Sequence, residues 1–161
     1  MNFHQVYLGL GSNLGNRKNN LEDAVGLIAE FAVIKKCSSI YETEPWGLKD
    51  QPKFLNQVLL VESTLEPNEI LSHLKRIEQQ MGRKKSVRYG PRLIDLDILF
   101  FDELIMNSAD LTIPHPRLTE RAFVLVPLAE ISPQLNHPQY HKTIKTLLQD
   151  VDAGGVSLYK D

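Results

Sequence analysis

The chain has 161 residues, 42% of them hydrophobic, with a formal charge of −2 at pH 7. That length suffices for one domain with a sizeable core, and the charge balance argues against broad attraction to nucleic acid or an anionic membrane. The single cysteine, Cys37, excludes an intramolecular disulfide and a cysteine-rich zinc site, and no apolar run approaches the ~18 residues of a membrane span or reads as a secretory signal. A cytoplasmic protein with Cys37 as a buried structural thiol is expected.

Val6 to Leu10 reads as a strand ending at Gly11, followed by a helix with Leu21, Ala24, Val25 and Ile28 at helical spacing and Asn16 as its cap. The segment Gly9-Leu10-Gly11-Ser12-Asn13-Leu14-Gly15 has its third glycine one residue late for a dinucleotide fingerprint and is read as a strand-to-helix turn. No Walker-type phosphate loop is present. Val33 to Tyr41 suggests a second strand, closed by turn residues at Thr43-Glu44-Pro45-Trp46-Gly47. Phe54 to Glu62 reads as a third strand. Pro67 then opens a helix whose stripe Ile70, Leu74, Ile77, Met81 stops at Gly82.

A fourth strand lies in Leu93-Ile94-Asp95-Leu96-Asp97-Ile98-Leu99-Phe100-Phe101. Side chains alternate along a strand, so Asp95 and Asp97 share one face, with their Cα atoms ~6.6 Å apart, while Ile94, Leu96, Ile98 and Phe100 fill the other. Like charges about 6 Å apart repel by roughly 2.8 kcal/mol at an effective dielectric of ~20. Solvation or a raised pKa relieves this, and a divalent cation reverses its sign. Either this is a strand with one wet face or it is a magnesium site. The cations just upstream (Arg83, Lys84, Lys85, Arg88, Arg92) favour the second, because carboxylate-bound metal beside clustered Arg and Lys is how proteins hold a polyphosphate. The segment from Arg83 to Arg92 is read as a lid, with Gly90 and Pro91 at its base.

The order strand, helix, strand, strand, helix, strand predicts an α+β fold: a ferredoxin-like βαββαβ core in which two helices cover one face of an antiparallel sheet and the other face stays open for a ligand. Two further helices, Thr119 to Glu130 and Thr143 to Val151, are expected as a C-terminal helical extension appended to that core. His115, held between Pro114 and Pro116, is either a surface residue in a rigid turn or a donor aimed at phosphate. His4, His73, His137 and His141 lack metal-ligand spacing and are read as surface residues. Asn56 is positioned to hydrogen-bond a flat heterocycle or to satisfy backbone groups, and Phe54, Tyr89, Phe123 and Trp46 to stack on a ring or fill core.

The segments Gly11-Ser12-Asn13-Leu14-Gly15, Tyr41-Glu42-Thr43-Glu44-Pro45, Asp50-Gln51-Pro52-Lys53-Phe54-Leu55-Asn56, Gly90-Pro91-Arg92-Leu93-Ile94-Asp95-Leu96-Asp97 and Pro114-His115-Pro116-Arg117-Leu118 closely resemble the 6-hydroxymethyl-7,8-dihydropterin pyrophosphokinases of folate biosynthesis, in the family's order. The resemblance implies one pyrophosphokinase domain over residues 1–161, acting as a monomer. It also implies transfer of a pyrophosphoryl group from ATP to the pterin hydroxymethyl oxygen, with two Mg²⁺ ions bridging the triphosphate to Asp95 and Asp97. By the same resemblance Arg83, Arg92, His115 and Arg121 are phosphate contacts, and Lys75, Glu78, Ile98 and Thr112 join His115 and Arg121 on the nucleotide side. Thr43, Glu44, Asn56, Tyr89 and Phe123 belong to the pterin set, with Phe54 and Trp46 beside them. Tyr89 stands where some relatives carry tryptophan, and Lys84 or Lys85 where they carry a second arginine.

Two other classes are set against this one. A nucleic-acid module built on a ferredoxin-like sheet would present aromatics on its central strands, whereas this sheet presents two acids. A non-catalytic sensor of pterin or nucleotide would not call for Asp95, Asp97, Arg92 and His115 together.

Overall fold

The computed structural model describes residues 2–44, 50–82 and 93–160. Strand β1 (His4–Ser12) turns Val6, Leu8 and Leu10 toward the helices and Tyr7, Gly9 and Gly11 to the opposite face. Helix α1 (Arg17–Ile28) begins at Asn16, whose side chain accepts the Asn19 N–H at 3.1 Å, and buries Leu21, Ala24 and Ile28. The turn before it contains Gly15 at φ 66°, a conformation that favours glycine. Strand β1 runs one residue past Gly11, so Gly9 and Gly11 are strand residues and only the end of the glycine motif is turn.

The expected second strand is two. Strand β2 (Val33–Cys37) and strand β3 (Tyr41–Thr43) pair with different ends of β4 (Phe54–Ser63). Between them Ser38 takes over the ladder: its N–H donates to the Val58 carbonyl, and its hydroxyl accepts the Val58 N–H, both at 2.9 Å. Cys37 is exposed, against the buried thiol expected. Helix α2 (Pro67–Gln80) starts with proline in its first turn and a capping box between Glu66 and Glu69, and buries Ile70, Leu74 and Ile77. Gly82, at φ 87°, follows its end.

Strand β5 (Asp95–Phe101) joins a sheet ordered β5-β1-β4-β3 and closed beyond β3 by a last short strand, β8 (Val156–Leu158), with β2 also on β4 and every pairing antiparallel. Leu96 and Ile98 enter the α1/α2 core as the alternation requires, but Phe100 does not. The register with β1 shifts between Tyr7 and Leu8, so Leu99 is an extra residue and the faces exchange beyond it. Phe100 therefore lies on the aspartate side, and Phe101 takes the helical side.

The second face is not open along its length. A 3₁₀ turn at Leu118–Glu120 and an extended Arg121 precede helix α3 (Ala122–Ile131), which replaces the longer helix expected from Thr119. Helix α4 (Ile144–Gln149), capped by Thr143, is likewise shorter than expected. Leu118, Val124, Leu125, Leu128, Ile144 and Leu147 pack on Tyr7, Val58, Leu60, Leu99 and Phe100 as a second core. These helices are thus an integral layer. His137 is part of it, 2% exposed, edge-on to Phe100 and stacked on Tyr140, and is no surface residue. Three short strands carry no recognisable sequence signal: β6 (Met106–Asn107), β7 (Thr112–Ile113) and β8 (Val156–Leu158), the last paired with β3. Among the described residues no helix is long and apolar enough to cross a membrane.

Candidate active site

The register sets the site. Asp95 and Asn56 are both paired with Gly11, from opposite sides, and Asn56 is paired in turn with Tyr41. Directly opposed residues share a face, so Asp95, Gly11, Asn56 and Tyr41 form one row across the sheet on the side away from α1 and α2. Neighbouring strands lie ~4.8 Å apart, which puts Asp95 about 10 Å from Asn56. Asp97 stands opposite Gly9. The packing of α3 and α4 covers the part of this face built from Tyr7, Val58 and Leu60, leaving the row at its margin.

At the Asn56 end, the side-chain Nδ2 donates to the Thr43 hydroxyl at 2.9 Å, and both residues are buried. That bond fixes the amide plane and leaves the carbonyl oxygen beside Gly11, where a Cβ would lie 3.1 Å from Asn56 Oδ1 and 3.7 Å from the Phe54 ring. The missing side chain at Gly11 is what makes room for Asn56. Glu44 is exposed and pairs with Lys53 at 3.4 Å. Asn13, fully buried, donates to Gln51 and to the Pro52 carbonyl at 2.9 and 3.0 Å, tethering the chain that leads into β4.

At the carboxylate end a cleft of about 380 Å³ wraps round the outer edge of β5, between α2 and the chain from Ala109 to Pro116. Lys75, Glu78, Asp95, Asp97, Ile98, Thr112 and His115 line it, so the nucleotide-side residues named from the sequence, Arg121 excepted, come together in one place. Glu78 is buried, and its Oε2 accepts the N–H of Leu96, the residue between the aspartates, at 2.9 Å. The turn bearing His115 is hooked to the same strand, its N–H donating to the Leu99 carbonyl at 3.0 Å. His115 Nδ1 accepts the Arg117 N–H at 3.2 Å, which assigns the ring proton of the neutral imidazole to Nε2. Burial, reinforced by the charge of Arg121, pushes its pKa down to about 4, so this donor is neutral at pH 7. Arg121 is not in the cleft lining but sits within the field of Asp97 and Asp95; burial lowers its pKa against their pull, and its guanidinium lies 5.5 Å from the centre of the Phe123 ring. Arg83, Arg92, Trp46 and Tyr89, with Lys84, Lys85 and the proposed lid, lie outside the described residues.

Among the described residues no group of three or more His, Cys, Asp and Glu side chains forms a metal cage. Two hard carboxylates on one face suit Mg²⁺ nonetheless, because that ion is usually held by one or two carboxylates plus substrate phosphates. Gly11 was missed as a site residue by the sequence reading, although a glycine inside an apolar strand marks a place that something must approach closely.

A neutral donor and a carboxylate pair line one cleft, with a buried guanidinium near the carboxylates and a fixed amide two strands away, an arrangement that suits a transferase acting on a phosphorylated substrate. The sequence model of the 7,8-dihydro-6-hydroxymethylpterin-pyrophosphokinase family matches residues 7–133, and the chain belongs to that family. A 2-amino-4-hydroxy-6-hydroxymethyldihydropteridine pyrophosphokinase of Aquifex aeolicus is 43% identical over 140 residues, covering 87% of this chain and 88% of its own. One of the same name from Bacillus subtilis is 47% identical over 132 residues, covering 81% and 79%. A mitochondrial folate synthesis bifunctional protein of Arabidopsis thaliana is 48% identical over 129 residues, but this chain spans only 23% of it. In the fold, wild-type HPPK-DHPS of Plasmodium falciparum matches with a TM-score of 0.76 at 18% identity, over 92% of this chain and 44% of that one.

Proposed function

We propose that this member of the family transfers the pyrophosphoryl group of ATP to the hydroxymethyl oxygen of 6-hydroxymethyl-7,8-dihydropterin, giving AMP and the pterin diphosphate in tetrahydrofolate synthesis. The observation that carries the reading is the single row in which the Asn56 amide and the Asp95 carboxylate flank Gly11. In this reading the strand order β5-β1-β4-β3 is the ferredoxin-like βαββαβ core with a C-terminal extension, residues 1–161 act as one pyrophosphokinase domain, and the protein is a cytoplasmic monomer.

The pterin lies over Gly11, its edge read by Asn56 and the neighbourhood of Thr43 and Glu44, with Phe54 and Phe123, and Tyr89 and Trp46 from the loops, available to its ring faces. ATP takes the cleft at the edge of β5, with Lys75, Glu78, Ile98 and Thr112 toward its nucleoside and His115, Arg121, Arg83 and Arg92 toward its phosphates. Asp95 and Asp97 would hold two Mg²⁺ ions, which when bound would supply neutralisation of the polyphosphate charge. The hydroxymethyl oxygen attacks the β-phosphorus in line, the bond from that phosphorus to the oxygen it shares with the α-phosphorus breaks, the hydroxyl proton passes to solvent, and AMP leaves carrying that oxygen. Neutral His115 donates through Nε2–H and Arg121 through its guanidinium to oxygens gaining negative charge, stabilisation that grows toward the transition state. Incubation with ATP, Mg²⁺ and the reduced pterin should release AMP; ADP as product, or no pterin-dependent turnover, would overturn the assignment.

A further inference from the structure

Strand β3 holds Thr43, yet it is three residues long and leads directly into Glu44 and the chain beyond. One of its edges lies on β4; the other is covered by β8, from the C-terminal stretch past the residues the family model matches. The pairing is Tyr41 with Leu158, Glu42 with Ser157 and Thr43 with Val156, extended by the Tyr159 N–H donating to the Ile40 carbonyl at 2.9 Å. Antiparallel ladders alternate, so the bond at 40 and 159 makes Glu42 and Ser157 the next hydrogen-bonded pair. On the helical face Arg17 closes the arrangement. Its Nη1 donates to Glu42 Oε2 at 2.8 Å and to the Lys53 carbonyl at 2.9 Å, and its guanidinium lies 5.6 Å from the centre of the Tyr159 ring.

We propose that β8, with Tyr159 and Arg17, is a clasp that positions β3 so that Thr43 keeps the Asn56 amide aimed at the pterin. Side chains alternate along β3, so Glu42 meets Arg17 below while Tyr41 and Thr43 face the site above. Tyr41 is tied on that upper face by its hydroxyl donating to Glu130 at 2.7 Å, whereas Thr43 is held, among the described residues, by the bond to Asn56 and the ladder. Loosening β8 therefore moves Thr43 first and leaves the carboxylate cleft, three strands away, as it is. The residues of the clasp act through Thr43 and touch neither substrate.

The inference rests on the pterin reading above, and its test separates the two. Ser157 is exposed, so Ser157→Pro removes a ladder N–H with little loss of packing, and Ser157→Ala keeps it. Tyr159→Ala provides a second lesion through the Arg17 contact. Ser157→Pro and Tyr159→Ala should weaken pterin binding by roughly five- to tenfold, the loss of about one hydrogen bond, with a non-hydrolysable ATP analogue bound within twofold of the parent. Hydrogen exchange at residues 41–43 should quicken in the same variants without any ligand, and Ser157→Ala should match the parent throughout. Unchanged exchange and pterin affinity in both lesions would overturn the clasp, as would parallel losses for both ligands. A parent protein that binds no pterin would overturn the functional reading and the role given to Thr43 with it, whatever the exchange at β3.

Discussion

Replacing Gly11 with alanine should damage pterin recognition while sparing the fold. The new Cβ would lie 3.1 Å from Asn56 Oδ1, so the amide must give way by a few tenths of an ångström, and it is already committed to Thr43 at 2.9 Å. Losing or bending a buried hydrogen bond of this kind costs about 1–3 kcal/mol, or roughly 5- to 150-fold in affinity. Alanine in place of a strand glycine returns about 0.5–1 kcal/mol of backbone entropy, so net stability should change little. Gly9→Ala is the control: its Cβ would make ordinary contact with Leu99 at 3.4 Å. Calorimetry with pterin and with a non-hydrolysable ATP analogue should find pterin binding weakened in Gly11→Ala alone, nucleotide binding unaltered in both. Equal pterin affinity for the two variants would refute the argument that Gly11 exists to seat Asn56.

Asp97→Asn and Asp95→Asn should each lower turnover at saturating Mg²⁺ on the order of a thousandfold; activity within a few-fold of the parent would remove the metal assignment. Glu78→Ala orphans the Leu96 N–H and should cost about 1–3 kcal/mol in urea unfolding, whereas Glu78→Gln, which retains an acceptor, should recover most of it. Leu125→Ala, at a fully buried position in the second core, should cost about 2–5 kcal/mol; a change below about 1 kcal/mol would mean that α3 is a dispensable appendage. Burial holds His115 at about 4 and lowers His137, whose Nδ1 accepts the N–H groups of Gln139 and Tyr140, while both rings protonate near 6.5 in the unfolded chain, so the unfolded chain binds more protons than the fold as pH falls. Their contribution is thus complete above pH 6.5 and lost as pH falls below it, and denaturation midpoints should decline between pH 7 and 5; a flat profile would contradict the burial of both rings.

The parts of this fold that were legible in the sequence are those with an unbroken period. The stripes of α1 and α2 and the alternation from Ile94 to Ile98 each place their residues correctly, because each repeats over several turns or pairs. At Leu99 the period fails without trace, since Ile98-Leu99-Phe100-Phe101 is apolar whichever way the faces run. The covering of the second face did leave a signal: Val58-Leu59-Leu60-Val61 is a continuous apolar run, which marks a strand buried on both sides. His137 gave none, because its burial comes from Phe100 and Tyr140 folding over a proline-bearing loop. Strand β8 gave none either, since a three-residue strand owes its conformation to the neighbour it pairs with.

Because Asn56 and Asp95 are paired with the same residue of β1, their separation is a property of the hydrogen-bonded ladder, about two strand spacings, and owes nothing to loop conformation. His115, the phosphate-side donor in the proposed reaction, is tied to the same ladder by its N–H on the Leu99 carbonyl, next to the register shift. In the proposed reaction the attacking oxygen and the phosphorus must be held about 3–3.5 Å apart with a tolerance of about 0.5 Å, and proximity of that kind is worth more when both partners hang from one rigid frame. The reading therefore gives the sheet the geometry and the loops the exclusion of water. Substitutions in the row Asp95, Gly11, Asn56 should change chemistry or recognition even where stability is untouched. Those that only shift the packing of α3 on Tyr7 and Leu60 should change stability first, since that core lies beside the row.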